Sequence, residues 1–390
     1  MGFTQVVRCR DEQLPRKPKQ VSPGQHERAG IQSEFVEDDM RIQFLAALFV
    51  AAPITAGSQA APCTTPTAPC EQWVAIGGGP ARAMVYSTFA LDKPNPHVTR
   101  AFILIHGTRR NADHYFETAT AAAFLAGALG NTVVIAPHIK ADTDTPAVNE
   151  ALWPNRGDSW RSGGMSTSKP AVSAFDFMDD ILRRLSNKKV FPNLTKIVVA
   201  GHSAGGQFVT RYEMANKVHG TLGTSVSYVV ANPSSYAWPA SVRPLPTGNA
   251  DPATADKEAL GPDGTKVNNK FSYGPFDSTK APTFNHWPTG LEGRTGYTAQ
   301  MTDDQLRKQL AERPTTYLFG QVDVLPLGGF DSSPPAMAQG PTRRARGEAF
   351  VKYITDSLAA KPGVMIVDEC GHNDRCIFTT NEVFPAIFPR

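Results

Sequence analysis

Lys196-Ile197-Val198-Val199-Ala200-Gly201-His202-Ser203-Ala204-Gly205-Gly206 is the stretch whose reading decides the fold. It opens with an apolar run, Ile197 to Ala200, of the kind found in strands buried on both faces of a parallel sheet. Gly201 to Gly205 then reads G-x-S-x-G, and a helix is predicted over residues 207–218. A strand that turns sharply into a helix at such a motif holds its serine on a strained turn, with the hydroxyl projecting. Gly201, Gly205 and Gly206 carry no side chain, so strand and helix can approach closely. The helix N-terminus aims free N–H groups at the same point, which makes the Ala204 amide a candidate oxyanion donor.

The pattern extends in both directions. Residues 73–76 and 83–89 read as a hairpin-like opening. Residues 100–105, 132–136, 225–231, 315–319 and 364–367 read as strands, the central ones continuously apolar. Residues 111–129, 171–185 and 343–359 carry helical patterns between them. In 171–185, Phe175, Met178, Ile181, Leu182 and Leu185 share a face, while Asp176, Asp179 and Asp180 read as a solvated one. Strands alternating with helices predict a doubly wound α/β domain. Residues 237–300 break the rhythm with Pro, Gly, Asn and Thr. A stretch that long points to a lid-like insertion.

A serine hydroxyl is a poor nucleophile until a base takes its proton. His372 stands late in the chain after a strand, in Asp368-Glu369-Cys370-Gly371-His372, where a loop returns over the edge of the sheet. It is the candidate base; His202, inside the turn, is expected to face away from Ser203. The base needs an orienting carboxylate. Asp323 follows the strand at 315–319 and a Gly320-Gln321-Val322 turn, with Asp331 as a competitor close by. A second oxyanion donor is expected after the strand at 100–105, in His106-Gly107-Thr108-Arg109, where the Thr108 amide is the first choice and Arg109 the next. Arg109, Trp160 and Tyr236 are the candidate substrate contacts, drawn from loops expected near the sheet's active edge.

Together the Gly201–Gly205 turn, His106-Gly107, Asp323 and His372 resemble the α/β-hydrolase family of serine esterases and lipases, from about Trp73 to the C-terminus. The resemblance implies an eight-stranded, mostly parallel sheet flanked by helices, and acyl-enzyme chemistry. The chain order Ser203, Asp323, His372 matches it. The oxyanion loop is not of the His-Gly-Gly-Gly type, which disfavours that branch of esterases. The long interval between Ser203 and Asp323 holds the insertion.

The N-terminus has a different character. Residues 8–30 are rich in Pro, Gln, Arg and Lys. From Met40 there follow one positive charge, about a dozen apolar residues, a break at Pro53, and small residues at Ser58 and Ala60. This is a signal-peptide pattern, with an apolar run too short for a comfortable membrane span. The expected organisation is an upstream extension over 1–39, a signal peptide over 40–60, and a catalytic domain over 61–390. Trimming removes Cys9 and leaves four cysteines, for which three connectivities exist. Their local spacing favours Cys63–Cys70 and Cys370–Cys376 bridges, as a secreted or periplasmic destination permits.

With 39 basic and 36 acidic residues in 390, the net charge of +3 gives no support for nucleic-acid binding. No His/Asp cluster has metal-ligand spacing, and no cofactor is expected. The expected function is a secreted serine hydrolase that cleaves a small or polymeric carboxylic ester. An amidase or peptidase with the same triad shares the machinery. A noncatalytic binding protein of this fold would have no need of all three triad residues.

Overall fold

The computed structural model describes residues 61–246 and 271–390; the extension and signal peptide expected over 1–60 lie outside them. The strands are β1 (Glu71–Ala75), β2 (Arg82–Ser87), β3 (Arg100–Ile105), β4 (Thr132–Pro137), β5 (Lys196–His202), β6 (Ser225–Ala231), β7 (Val242–Pro246), β8 (Phe271–Pro275), β9 (Thr315–Gly320) and β10 (Gly363–Val367). Eight of them form one sheet in the order β1-β2-β4-β3-β5-β6-β9-β10. Its β1–β2 and β2–β4 pairings are antiparallel and the rest are parallel. β7 and β8, inside the insertion, make a separate antiparallel pair.

Alternation along the strands divides the apolar residues between two cores. Ala101, Ile103 and Ile105 of β3 and Ile197 and Val199 of β5 face one side. There they meet Phe175 and Met178 of α2 (Ala174–Leu185), Phe208 and Tyr212 of α3 (Ala204–Ala215), Leu306 of α4 (Asp303–Glu312) and Phe350. Phe102, Leu104, Val198 and Ala200 face the other side, against Phe116 and Ala119 of α1 (Ala112–Leu125). Short helices α5 (Pro334–Met337), α7 (Asp374–Phe378) and α8 (Phe384–Ile387) and the longer α6 (Arg343–Leu358) complete the set. Burial on both faces is why these strands lack the polar alternation of a half-exposed sheet.

The helix after Ser203 begins at Ala204, three residues earlier than the sequence pattern indicates. The glycines lie in its first turn because the sheet comes too close for side chains. A Cβ on Gly205 would sit 2.2 Å from the Ile105 carbonyl oxygen, and one on Gly201 would sit 2.2 Å from that of Gly205.

The acidic face expected on α2 is not a solvated one. Asp176 is the capping-box partner of Ser173. Asp180 accepts from the Gly77 amide at 2.8 Å. Asp179 is buried and accepts from the hydroxyls of Tyr212 at 2.6 Å and Tyr297 at 3.0 Å. Tyr297 belongs to the expected lid, so this contact pins part of that segment to the core. Trp238 and Leu291 of the same segment are also buried there. None of its described residues lines the cavity over Ser203.

Glu213, on α3, is fully buried and accepts from the Tyr317 hydroxyl at 2.7 Å. Burial pushes its carboxyl from the ordinary 4.5 up to about 8. The folded chain therefore keeps this proton where the unfolded chain has released it, so stability is lost as pH rises between those values. The expected cost is on the order of 1 kcal/mol per pH unit within that window. Glu213→Gln stays neutral and should flatten this part of the profile, as urea midpoints from pH 5 to pH 8 will reveal.

Candidate active site

The C-terminal ends of parallel strands β3, β5, β9 and β10 meet at one edge of the sheet, where open α/β sheets gather their reactive groups. Ser203 sits between β5 and α3 with φ 58° and ψ −117°, a conformation disfavoured for a residue with a Cβ. Its amide donates to the Ala231 carbonyl at 3.0 Å, and its own carbonyl accepts from Gln207 N at 3.0 Å. Both bonds hold the turn, and the hydroxyl is left projecting.

His372 reaches that hydroxyl from the loop after β10. Its Nε2 lies 2.9 Å from Ser203 Oγ, and its Nδ1 lies 2.8 Å from Asp323 Oδ2. An ionised carboxylate accepts only, so the ring proton sits on Nδ1 and the Nε2 lone pair faces the serine. The Cys370–Cys376 bridge closes the loop that carries His372, and Cys63–Cys70 is the second bridge. Asn232, at the end of β6, ties the two loops together. Its Oδ1 accepts from Gly320 N at 2.8 Å, and its Nδ2 donates to the Gly371 carbonyl at 3.3 Å.

Arg343, at the start of α6, is buried behind the carboxylate. Its Nη1 donates to Asp323 Oδ1 at 3.4 Å, its Nε to Ser234 Oγ at 2.8 Å, and its Nη2 to the Leu327 and Gly328 carbonyls. The two oxygens of Asp323 thus have different partners, one imidazole and one guanidinium.

His202, expected to face away from Ser203, packs beside the base candidate. Its ring lies 4.6 Å from that of His372, centroid to centroid. Its Nδ1 is 3.0 Å from the Tyr115 hydroxyl. Burial first, and the neighbouring His372 second, hold its pKa well below the ordinary imidazole value. It is therefore a neutral surface for the other ring to rest on, and adds no like charge when His372 takes up a proton.

His106 has another use. Its Nε2 accepts from Ile139 N at 3.0 Å, so its proton is on Nδ1, 3.0 Å from the Gly107 carbonyl. Burial pushes its pKa down to about 3, which keeps the ring neutral. In a trans peptide the C=O and the next N–H point in opposite directions. Holding the Gly107 carbonyl, which also accepts from Arg110 N at 3.1 Å, therefore aims the Thr108 N–H the other way. Among the described residues, neither the Thr108 nor the Ala204 amide has an acceptor.

Ser203, His372, Thr108 and Arg109 line one cavity of about 460 Å³, together with His202, Gly328 and Gly329. Arg109 is exposed at its rim. A larger cavity, about 560 Å³ beside Cys63, Trp73 and Lys93, is lined by none of Ser203, Asp323 and His372. Two expected substrate contacts are displaced. Trp160 is fully buried, its ring 5.1 Å from His106 and 6.4 Å from Phe208. Tyr236 is fully buried and stacked on Phe350 at 4.4 Å. Both loops begin near the active edge, but their aromatic rings fill the core beneath it. Asp331, the competing carboxylate, accepts from Ser333 N at 3.0 Å and Ser235 Oγ at 3.4 Å, and leaves His372 to Asp323.

The model of the alpha/beta hydrolase family matches residues 102–384. The chain belongs to the α/β-hydrolase family. Solved structures of similar fold include a poly(3-hydroxybutyrate) depolymerase from Bordetella parapertussis, at 19% identity over 79% of this chain and 84% of that one, with a TM-score of 0.53. A poly(aspartic acid) hydrolase from Sphingomonas sp. KT-1 is 20% identical over 78% of this chain and 94% of that one, with a TM-score of 0.48. No curated protein sequence matches this hydrolase. Of the hydrolase's site residues, the sequence reading missed Arg343 and Tyr115. His106 was placed in the expected oxyanion loop, but its own contacts to Ile139 N and the Gly107 carbonyl were not foreseen.

Proposed function

We propose that this hydrolase cleaves carboxylic esters with Ser203 as nucleophile, His372 as general base and acid, and Asp323 as the group that orients His372. The observation that carries the reading is the continuous hydrogen-bonded line from Ser203 Oγ through His372 to Asp323. His372 Nε2 takes the Ser203 proton as Oγ attacks the ester carbonyl. The amides of Ala204 and Thr108 hold the oxyanion, each donor contributing on the order of 3 kcal/mol of transition-state stabilisation. His372 then protonates the leaving alcohol. Water, deprotonated by the same imidazole, releases the acid and restores the serine. Arg109 at the rim is proposed to touch the substrate. The bridges at Cys63–Cys70 and Cys370–Cys376, with the leader pattern before residue 61, support a secreted or periplasmic enzyme.

The test is labelling with a fluorophosphonate, with the modified peptide mapped by mass spectrometry. A matched pair, a p-nitrophenyl ester and the p-nitroanilide of the same acyl group, is assayed beside it. Label on Ser203 and faster ester turnover are expected. Label with faster anilide turnover would make it an amidase. An active enzyme that labels elsewhere or not at all would remove Ser203 from the chemistry.

A further inference from the structure

Beside the cavity over Ser203 lies a second one, also of about 460 Å³, and Gly329 is in the wall of both. Its wall is built from α3 and from the described part of the insertion. Ser203 is the residue before α3, and Gln207 and Arg211, spaced four residues apart, lie along one face of that helix. Gln207 and Arg211 both line the second cavity, with Arg161, Ser235, Trp287 and Asp331. Arg211 lies two turns beyond Ser203, and a helical side chain leans back toward the N-terminus. Seven residues of helix rise about 10 Å, which sets the scale of the separation between this cavity and the nucleophile.

Arg211 is 1% exposed, yet all its partners are neutral: the carbonyls of Pro288 at 3.0 Å, Gln207 at 3.3 Å and Arg161 at 3.4 Å, and Ser235 Oγ at 3.2 Å. Arg161, half-buried, donates to the Asn155 carbonyl at 2.6 Å and Ser159 Oγ at 3.2 Å. Among the described residues neither guanidinium has a carboxylate within 4.0 Å. Burial, and then the charge of Arg161, push the Arg211 pKa down to about 9. Asp331, in the same wall, is engaged with Ser333 N and Ser235, and its single negative charge leaves the pair of cations with a net positive one. Asp331 offsets part of the charge on both arginines, but a buried cation with no carboxylate in ion-pair contact is costly, and an anion entering the cavity would relieve that cost.

We propose that this cavity is a carboxylate subsite, in which Arg211 and Arg161 bind a free carboxylate carried by the ester substrate at a fixed distance from the bond cleaved at Ser203. The inference rests on the reading of Ser203 as nucleophile. It narrows the substrate to esters with an acidic tail, such as half-esters of dicarboxylic acids or hydroxy-acid oligomers ending in a free acid. Arg211 keeps one Nη2 donor beyond its four bonds, and Arg161 uses only Nε and Nη2, so charge-assisted hydrogen bonds from both favour a carboxylate over a neutral ester tail.

The test uses p-nitrophenyl half-esters of succinate, adipate, suberate and sebacate, each beside its neutral methyl ester. The acid-to-methyl-ester ratio of kcat/KM is expected to peak at one chain length. Arg211→Gln should lower that peak ratio by roughly 10- to 100-fold, the loss of a charge-assisted hydrogen bond. Arg161→Gln should lower it in the same direction, and serves in its place if the first variant does not fold. Ratios near one at every length, or a ratio unmoved in both folded variants, would overturn the subsite. If fluorophosphonate does not label Ser203 and no ester turns over, the failure belongs to the triad. Calorimetry with free suberate then decides the cavity. Binding to the wild type that is lost in Arg211→Gln would support a carboxylate site, and no binding at millimolar suberate would remove it.

Discussion

Ser203→Ala is expected to lower kcat for a p-nitrophenyl ester by about 10^4- to 10^6-fold, the range seen when a triad nucleophile is removed. The base, its carboxylate and the two amides all remain, but no acyl-enzyme can form. A residue of catalysis, about 10^3-fold over water, is expected from the oxyanion amides and binding alone. The fold should hardly notice. Alanine keeps the Cβ, and with it the φ of 58° imposed by the turn. The amide bond to Ala231 and the carbonyl bond from Gln207 do not involve the hydroxyl. Ser203→Gly should be as inactive, but more stable by about 1 kcal/mol, because glycine tolerates positive φ and part of the gain is offset by its freer unfolded chain. Thermal or urea midpoints of the two variants beside the wild type separate the effects. A folded Ser203→Ala enzyme with more than about a hundredth of the wild-type kcat would point to another nucleophile.

What the sequence made legible is what repeats locally. The runs at 100–105, 132–136 and 196–200 are buried on both faces, so their composition alone marks them as central strands of a parallel sheet. The G-x-S-x-G stretch lies in the one context that gives it meaning. The order Ser203, Asp323, His372 follows from which strand ends carry a polar residue in the next loop. The errors share a different cause. Asp179 was expected in solvent because its neighbours Asp176 and Asp180 are polar-face residues, but Tyr297 arrives from 118 residues away to bury it. Trp160 and Tyr236 occupy loops, and loop position says nothing about whether a ring turns outward or down into the core. His202 was judged by its place in the turn, whereas its nearest ring is that of His372, which comes from the loop after β10 to lie tilted against it at 4.6 Å. Arg343 reaches Asp323 from another element altogether. Each miss is a tertiary contact made between elements far apart in the chain, and no local pattern encodes it.

Arg343 also decides what an amide would do in place of the triad carboxylate. Asp323→Asn is expected to lower kcat by about 10^4-fold at neutral pH. Arg343 Nη1 is a donor and faces Oδ1, so the new amide should turn its oxygen there and its NH2 toward His372. An NH2 group donates, and His372 Nδ1 must then accept. The ring proton moves to Nε2, the atom that faces Ser203 Oγ at 2.9 Å, and the lone pair that should take the serine proton is gone. The imidazolium formed during attack would also lose its neighbouring negative charge. Nitrogen NMR of the imidazole gives a readout independent of rate: the proton should be on Nδ1 in the wild type and on Nε2 in the variant. The variant also leaves buried Arg343 without its carboxylate, though Ser234 Oγ and the Leu327 and Gly328 carbonyls still accept from it. Some stability is therefore expected to be lost, and the rate must be read at a temperature well below unfolding. Arg343→Gln tests the orientation argument from the other side. With no donor fixing Oδ1, an Asp323→Asn/Arg343→Gln double variant can present its amide oxygen to Nδ1, and part of the lost rate should return. A double variant as slow as Asp323→Asn, with its imidazole proton back on Nδ1, would mean that the charge of Asp323, and not the tautomer it selects, is what His372 requires.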